Sequence, residues 1–135
     1  MSDSTITFLR KLVAIDSVNP SLVPGSAGEK EIAMAIAGEM SAIGLQVEVN
    51  EVAQGRPNVG GVFDGRSNGR TLMLMGHTDT VGVAGMEAPF VPIERNGRLY
   101  GRGAQDMKGG IAAMLGAARE LVASGGLASG KLIVA

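Results

Sequence analysis

Along the opening segment, apolar residues recur at Ile6, Leu9, Leu12 and Val13, a helical spacing that predicts an amphipathic helix ending near the Asn19-Pro20 pair. Residues 16–27 read as loop. Ser26 followed by Glu29 has the spacing of a capping box, and Ile32, Ile36, Met40 and Ile43 form the apolar stripe of the helix it would open, with Gly44 as its C-cap. At Leu45 the period changes to two. Leu45, Val47 and Val49 alternate with Gln46, Glu48 and Asn50, as a half-buried strand requires. A second strand is expected around residues 59–63. The Gly-, Asn- and Ser-dense stretch 64–70 then turns the chain into a third, residues 71–75. That strand is short and continuously apolar, the pattern of a strand covered on both faces, so residues 72–75 are expected at the centre of a sheet.

Residues 91–94 and 98–100 predict a hairpin about Asn96-Gly97, followed by the Gly-rich segment GRGAQDMKGG. A long helix is expected over residues 109–124, with Ile111, Met114, Leu115, Ala118, Leu121 and Val122 inward and Gly125-Gly126 closing it. A further strand begins at Lys131. Helices alternating with strands predict an α/β domain of three layers, α/β/α, with a mixed central sheet. The last strand meets neither a turn residue nor a polar tail, so the domain is expected to be incomplete at its C-terminal side.

Composition narrows the partners. At 135 residues and 45% hydrophobic content the chain suits one globular domain or part of one. Twelve basic against 13 acidic residues leave a formal charge of −1, and with 3% aromatic residues and no Trp there is neither a field nor a stacking platform for nucleic acid. Arg10 and Lys11 interrupt the N-terminal apolar pattern, unlike a signal peptide, and no apolar run approaches membrane-spanning length. A cytoplasmic protein without membrane or nucleic-acid partners is expected. Cys is absent, so any metal must be held by His and carboxylates.

Gly76-His77-Thr78-Asp79 stands at the end of the third strand, where ligand sites gather in open α/β sheets. His77 is the only His. A ligating imidazole needs its second nitrogen held by an acceptor, and Asp79, two residues on, lies on the same side of an extended segment. The bland reading is a hydrogen-bonded structural His, and His-x-Asp alone does not separate the two. Asp106 follows Gly101-Arg102-Gly103 and directly precedes a helix, where it could project into a crevice or simply cap the helix.

Two stretches, MLMGHTDTV and FVPIERNGRLYGRGAQDMKGGIAAML, together resemble the zinc-dependent family of acetylornithine deacetylases, succinyl-diaminopimelate desuccinylases, aminoacylases and glutamate carboxypeptidases. The opening helix, the Ser17-Val18-Asn19-Pro20 loop and the second helix also fit the start of that family. The resemblance implies a phosphorylase/hydrolase-like fold, of which residues 1–135 would be the N-terminal portion of the catalytic domain, with the lid and dimerisation domain absent. It implies that His77 binds one zinc ion, that Asp79 orients that imidazole, and that Asp106 bridges two ions, with a cis bond between Asp106 and Met107. Lys108, Gly109 and Gly110 match motif positions and take structural roles.

The implied reaction is hydrolysis of an amide next to a free carboxylate, in an N-acyl amino acid or small peptide. Two zinc ions, replaceable by cobalt or manganese, would activate a shared water and polarise the carbonyl, and a Glu would act as general base. That Glu and the later ligands are expected beyond Ala135, so residues 1–135 alone are expected to be inactive. Missing neighbours would also leave apolar surface uncovered, which predicts self-association, homo-oligomers included, or marginal folding. The rival is a noncatalytic remnant or interaction module that keeps the fold.

Three further patterns carry no chemistry. Residues 125–131 have phosphate-loop spacing but Leu132 where a Ser or Thr belongs, and they lead from helix to strand instead of the reverse. Ser67 within Gly65-Arg66-Ser67-Asn68-Gly69 is expected in a turn, since a strand, not a helix, follows it. Gly101-Arg102-Gly103 lacks the third Gly of a dinucleotide loop. Met34, Met40, Met73, Met75 and Met114 are expected to fill the core, and Arg10, Arg56, Arg66 and Arg70 to be scattered and solvated.

Overall fold

A computed structural model describes residues 3–135. Helix α1, Asp3–Ala14, buries Thr5, Phe8, Leu9, Leu12 and Val13, while Ile6 is only half-buried. It stops at Ala14, short of the Asn19-Pro20 pair. The backbone of residues 17–19 instead pairs with Thr80: Asn19 N–H donates to Thr80 O at 2.9 Å and Thr80 N–H to Ser17 O at 2.9 Å. Groups bonded to a distant segment cannot also continue a helical ladder.

Helix α2, Lys30–Ile43, buries the predicted stripe and closes at Gly44 in a left-handed conformation. The predicted capping box does not form. Ser26 Oγ donates to Val18 O at 2.8 Å, and Glu29 makes no side-chain cap bond. Both Glu29 carboxylate oxygens accept from Arg56, Oε2 from Nε at 2.9 Å and Oε1 from Nη2 at 2.6 Å. Glu29 is only 4% exposed, and a buried carboxylate gains more from a guanidinium fork than from one amide. Arg56 is therefore not a solvated, isolated arginine. Arg10 pairs with Glu94, and Arg66 Nη2 donates to Gly125 O at 2.9 Å.

Strands β1, Gln46–Ala53, and β2, Arg56–Asp64, form one long antiparallel hairpin with an irregularity between Glu51 and Ala53. β3 is Thr71–Leu74, and β4, Ile93–Arg95, turns into β5, Arg98–Tyr100, through Asn96 and Gly97, both at positive φ. Helix α3, Gly109–Ala123, leads to β6, Lys131–Val134. The four-stranded sheet runs β1-β2-β6-β3, with β6 antiparallel to β2 and parallel to β3, so the expected mixed sheet is present.

The expected centre of that sheet is corrected. β3 lies at its edge, and Leu72, Met73 and Met75 are 59%, 53% and 73% exposed. The crossover through α3 brings β6 between β2 and β3, and Leu132 and Val134 are the residues buried there. A continuous apolar run marks a candidate for burial, but the strands that flank it decide the outcome. Met34 is likewise exposed, whereas Met40 is buried and Met114 partly so.

Pairing register puts Val47, Gly61, Leu132, Val134 and Leu74 on one face, and α2 and α3 pack there, with α1 against α3. A Cβ on Gly61 would stand 2.8 Å from Leu45 Cδ2 and 2.9 Å from Met40 Sδ, so a glycine is what lets α2 approach the hairpin. The opposite face, with Val62, Ile133 and Met73, supplies no residue to the buried core. Two of the three expected layers are thus present among the described residues. The decoy segments fold as turns: Gly126 N–H closes α3 on Leu121 O at 3.0 Å, and Ser67 Oγ donates to Ala128 O at 3.2 Å.

Candidate functional site

Beyond Leu74 the chain leaves the carboxyl end of the parallel pair, where Ala135 N–H donates to Leu74 O and Gly76 N–H to Ala135 O, each at 2.9 Å. His77 follows immediately. Its backbone N–H donates to Met107 Sδ at 3.4 Å, and its ring reaches two carboxylates. Nδ1 lies 3.1 Å from both Asp79 Oδ1 and Asp79 O, and Nε2 lies 3.0 Å from Asp106 Oδ1. The structure thus brings together an imidazole and a carboxylate 29 residues apart, with Asp79 on the far nitrogen of the ring. Burial of the ring works to lower the His77 pKa, but the hydrogen bond to Asp106, the Asp79 carbonyl and both carboxylate charges together hold it above its ordinary value.

Asp106 sits in a wide, broken turn, Ala104–Lys108, in which Asp106 and Met107 have non-helical dihedrals and the bond joining them is cis. The turn opens at Gly103 with φ of 77°, where a Cβ would stand 2.7 Å from Thr80 Cγ2, so only glycine fits against the segment that carries Asp79. Asp106 does not cap α3. That position belongs to Lys108, without a side-chain cap bond, and the Asp106 side chain is 87% exposed. Lys108 itself is fully buried. Its Nζ donates to Ile15 O at 2.7 Å and lies 5.9 Å from the centre of the Phe90 ring, tying the turn to the end of α1. Burial pulls its pKa down to about 8 against the opposing charge of Asp16.

Two features of the site have partners that the sequence pattern does not reveal. Asn19 Nδ2 donates to Asp79 Oδ2 at 2.8 Å, and Asn19 Oδ1 accepts from Ser21 N–H at 2.8 Å. The Asn-Pro pair announces such a turn, but nothing in it points to an acceptor 60 residues away. The Glu29–Arg56 pair joins His77 and Asp79 along a cleft of about 520 Å³ whose floor is apolar, with Met40, Ile111, Met114 and Val134.

One imidazole nitrogen and one carboxylate oxygen converging at 3.0 Å are donors of the kind a zinc-class cation takes, and the ring nitrogen opposite is held as such ligation requires. Among the described residues no group of three or more His, Cys, Asp or Glu could hold a metal. No helix among them is long and apolar enough to cross a membrane.

Residues 73–135 match the sequence profile described as Peptidase family M20/M25/M40. The chain is 38% identical to a succinyl-diaminopimelate desuccinylase of Leptothrix cholodnii across 89% of its own length, and it spans 31% of that relative. An M20 family metallo-carboxypeptidase from Sulfolobus solfataricus superimposes with a TM-score of 0.81 at 24% identity, covering 98% of this chain and 30% of the other. A dinuclear metal binding peptidase of the M20 family from Bacillus subtilis does so with a TM-score of 0.64 at 19% identity, covering 97% and 33%. Profile and relative thus agree in likening the chain to M20 metallopeptidases in sequence, and the superpositions liken it to them in fold.

Proposed function

We propose that residues 1–135 are the N-terminal portion of the catalytic domain of a cytoplasmic, metal-dependent amidohydrolase or exopeptidase, without its lid and dimerisation domain. The whole protein would cleave an amide next to a free carboxylate, in an N-acyl amino acid or small peptide. The observation that carries this reading is the approach of His77 Nε2 to Asp106 Oδ1 at 3.0 Å with Asp79 behind the ring. The desuccinylase activity named for the Leptothrix relative and the dinuclear centre named for the Bacillus peptidase support the reaction class and the metal pair.

His77 would ligate through Nε2, and Asp106, exposed and with its second oxygen directed to no partner among the described residues, would share its carboxylate between two ions. When bound, zinc, or cobalt or manganese in its place, supplies Lewis acidity toward the substrate carbonyl and toward water. Asp79 keeps the His77 ring proton on Nδ1. Lys108 ties the Asp106 turn to Ile15 at the end of α1 and Gly103 lets it pack against the Thr80 segment, which together would fix the distance between the two ligands.

Zinc takes about four ligands, so two from this chain predict weak binding of a single ion and no turnover. Calorimetric titration with Zn(II) should give a weak one-site isotherm that His77→Ala abolishes and Asp106→Asn weakens. Binding unaffected by either substitution, or hydrolysis of N-acyl amino acids by residues 1–135 alone, would overturn the assignment.

A further inference from the structure

We propose that Asn19 is a positioning residue for the metal centre: its side-chain amide holds the Asp79 carboxylate so that the His77 ring proton stays on Nδ1 and Nε2 is left free to ligate. Because His77 is taken here as a ligand, this rests on the function proposed above.

The Asn19 amide has only one orientation that satisfies both of its ends. The Ser21 N–H requires an acceptor, which is Oδ1 at 2.8 Å, so Nδ2 is the group that faces Asp79 Oδ2 at 2.8 Å. With Oδ2 engaged, Asp79 turns Oδ1 to His77 Nδ1 at 3.1 Å, where the Asp79 backbone carbonyl also lies at 3.1 Å. The platform under Asn19 is fixed as well. Val18 N–H donates to Asp16 Oδ1, Ser26 Oγ to Val18 O, and Asn19 N–H to Thr80 O, all between 2.8 and 2.9 Å. The loop is thereby stitched to the segment that carries Asp79.

The clamp matters because the ring has acceptors on both sides. Nε2 stands 3.0 Å from Asp106 Oδ1, so a proton on Nε2 would also be hydrogen-bonded, and it would block ligation. Two acceptors converging on Nδ1, one of them aligned by Asn19, outweigh the single, 87% exposed carboxylate opposite. Without the Asn19 donor, Asp79 is free to rotate and that preference weakens.

His77 is the only histidine, so its ring nitrogens can be followed without overlap by long-range ¹H–¹⁵N NMR on the 135-residue chain, at a pH where the ring is neutral. Asn19→Asp keeps an oxygen for Ser21 N–H and so preserves the turn, but replaces the donor facing Asp79 by a second carboxylate. It should shift the ring toward the Nε2–H tautomer and weaken Co(II) binding, read from the Nε2 resonance, about tenfold. The exchanged pair Asn19→Asp/Asp79→Asn lets the new amide donate to the new carboxylate while its oxygen accepts from Nδ1–H, and should restore the tautomer. Should Asn19→Asp not fold, Asn19→Ser takes its place, because a hydroxyl still closes the turn but does not reach Asp79. A folded variant with the wild-type tautomer and Co(II) affinity would overturn the proposal. A wild-type chain in which Co(II) leaves the Nε2 resonance unmoved would overturn the metal reading instead, and the tautomer comparison would still decide the role of Asn19.

Discussion

Leu72 and Leu132 are register partners on adjacent parallel strands, yet one is 59% exposed and the other 5%. Leu132 has a strand on each side and lies in the cluster formed with Leu115, Ile32 and Met40, whereas Leu72 has a neighbouring strand on one side only. The same side chain in the same pleat is therefore core in one place and surface in the other. Coverage by neighbours, more than residue type, sets where the stability of this chain resides.

Truncation breaks the comparison most sharply. Leu132→Ala should cost about 4 kcal/mol, from lost burial plus the cavity left in a packed cluster, and should move the urea midpoint accordingly. Leu72→Ala, one strand away, should leave that midpoint nearly unchanged.

A titration sharpens it next, because the covered region holds an ionisable group that the edge does not. Burial pulls the Lys108 pKa from 10.5 down to about 8, so between those values the unfolded chain binds more protons than the folded one. Stability of the metal-free chain should therefore rise as pH is raised through that window. The gain, on the order of 3 kcal/mol, is complete above pH 10.5 and lost as pH falls through about 8. Denaturation of Lys108→Met should lack this rise, and an identical pH profile in the variant would contradict the assignment.

The smallest effect on stability belongs to the edge. Leu72→Lys with Met73→Lys should change the unfolding free energy by no more than about 0.5 kcal/mol, since both side chains already face solvent. The same pair should shift the chain toward monomer in light scattering, because charges on an open strand oppose edge-to-edge pairing. Self-association unchanged by both lysines would place the contact elsewhere.

Much of this molecule is legible from local pattern. The stripe of α2, the inward residues of α3 and the Asn96-Gly97 hairpin follow from periodicity and turn chemistry, which act within a few residues. His77, Asp79 and Asp106 stand out by their types and by motif resemblance, and the structure brings them within hydrogen-bonding distance. Less legible were features whose cause is a distant segment. Glu29 has the spacing of a cap but is drawn to Arg56, 27 residues on, because a buried carboxylate needs a countercharge. Asn19 resembles a helix stop and is instead a donor to Asp79.

From the amino-acid order alone came the kinds of element, their sequence along the chain, the alternation of helix and strand, and the residue types able to meet a metal. Those depend on backbone preferences and on apolar spacing, both short-ranged. Tertiary structure decided that β6 and not β3 is interior, that Lys108 is buried, and which oxygen of Asp79 faces His77. Burial and hydrogen-bond partnership are properties of pairs of segments, and their partners come into reach only once the sheet and its crossover have formed.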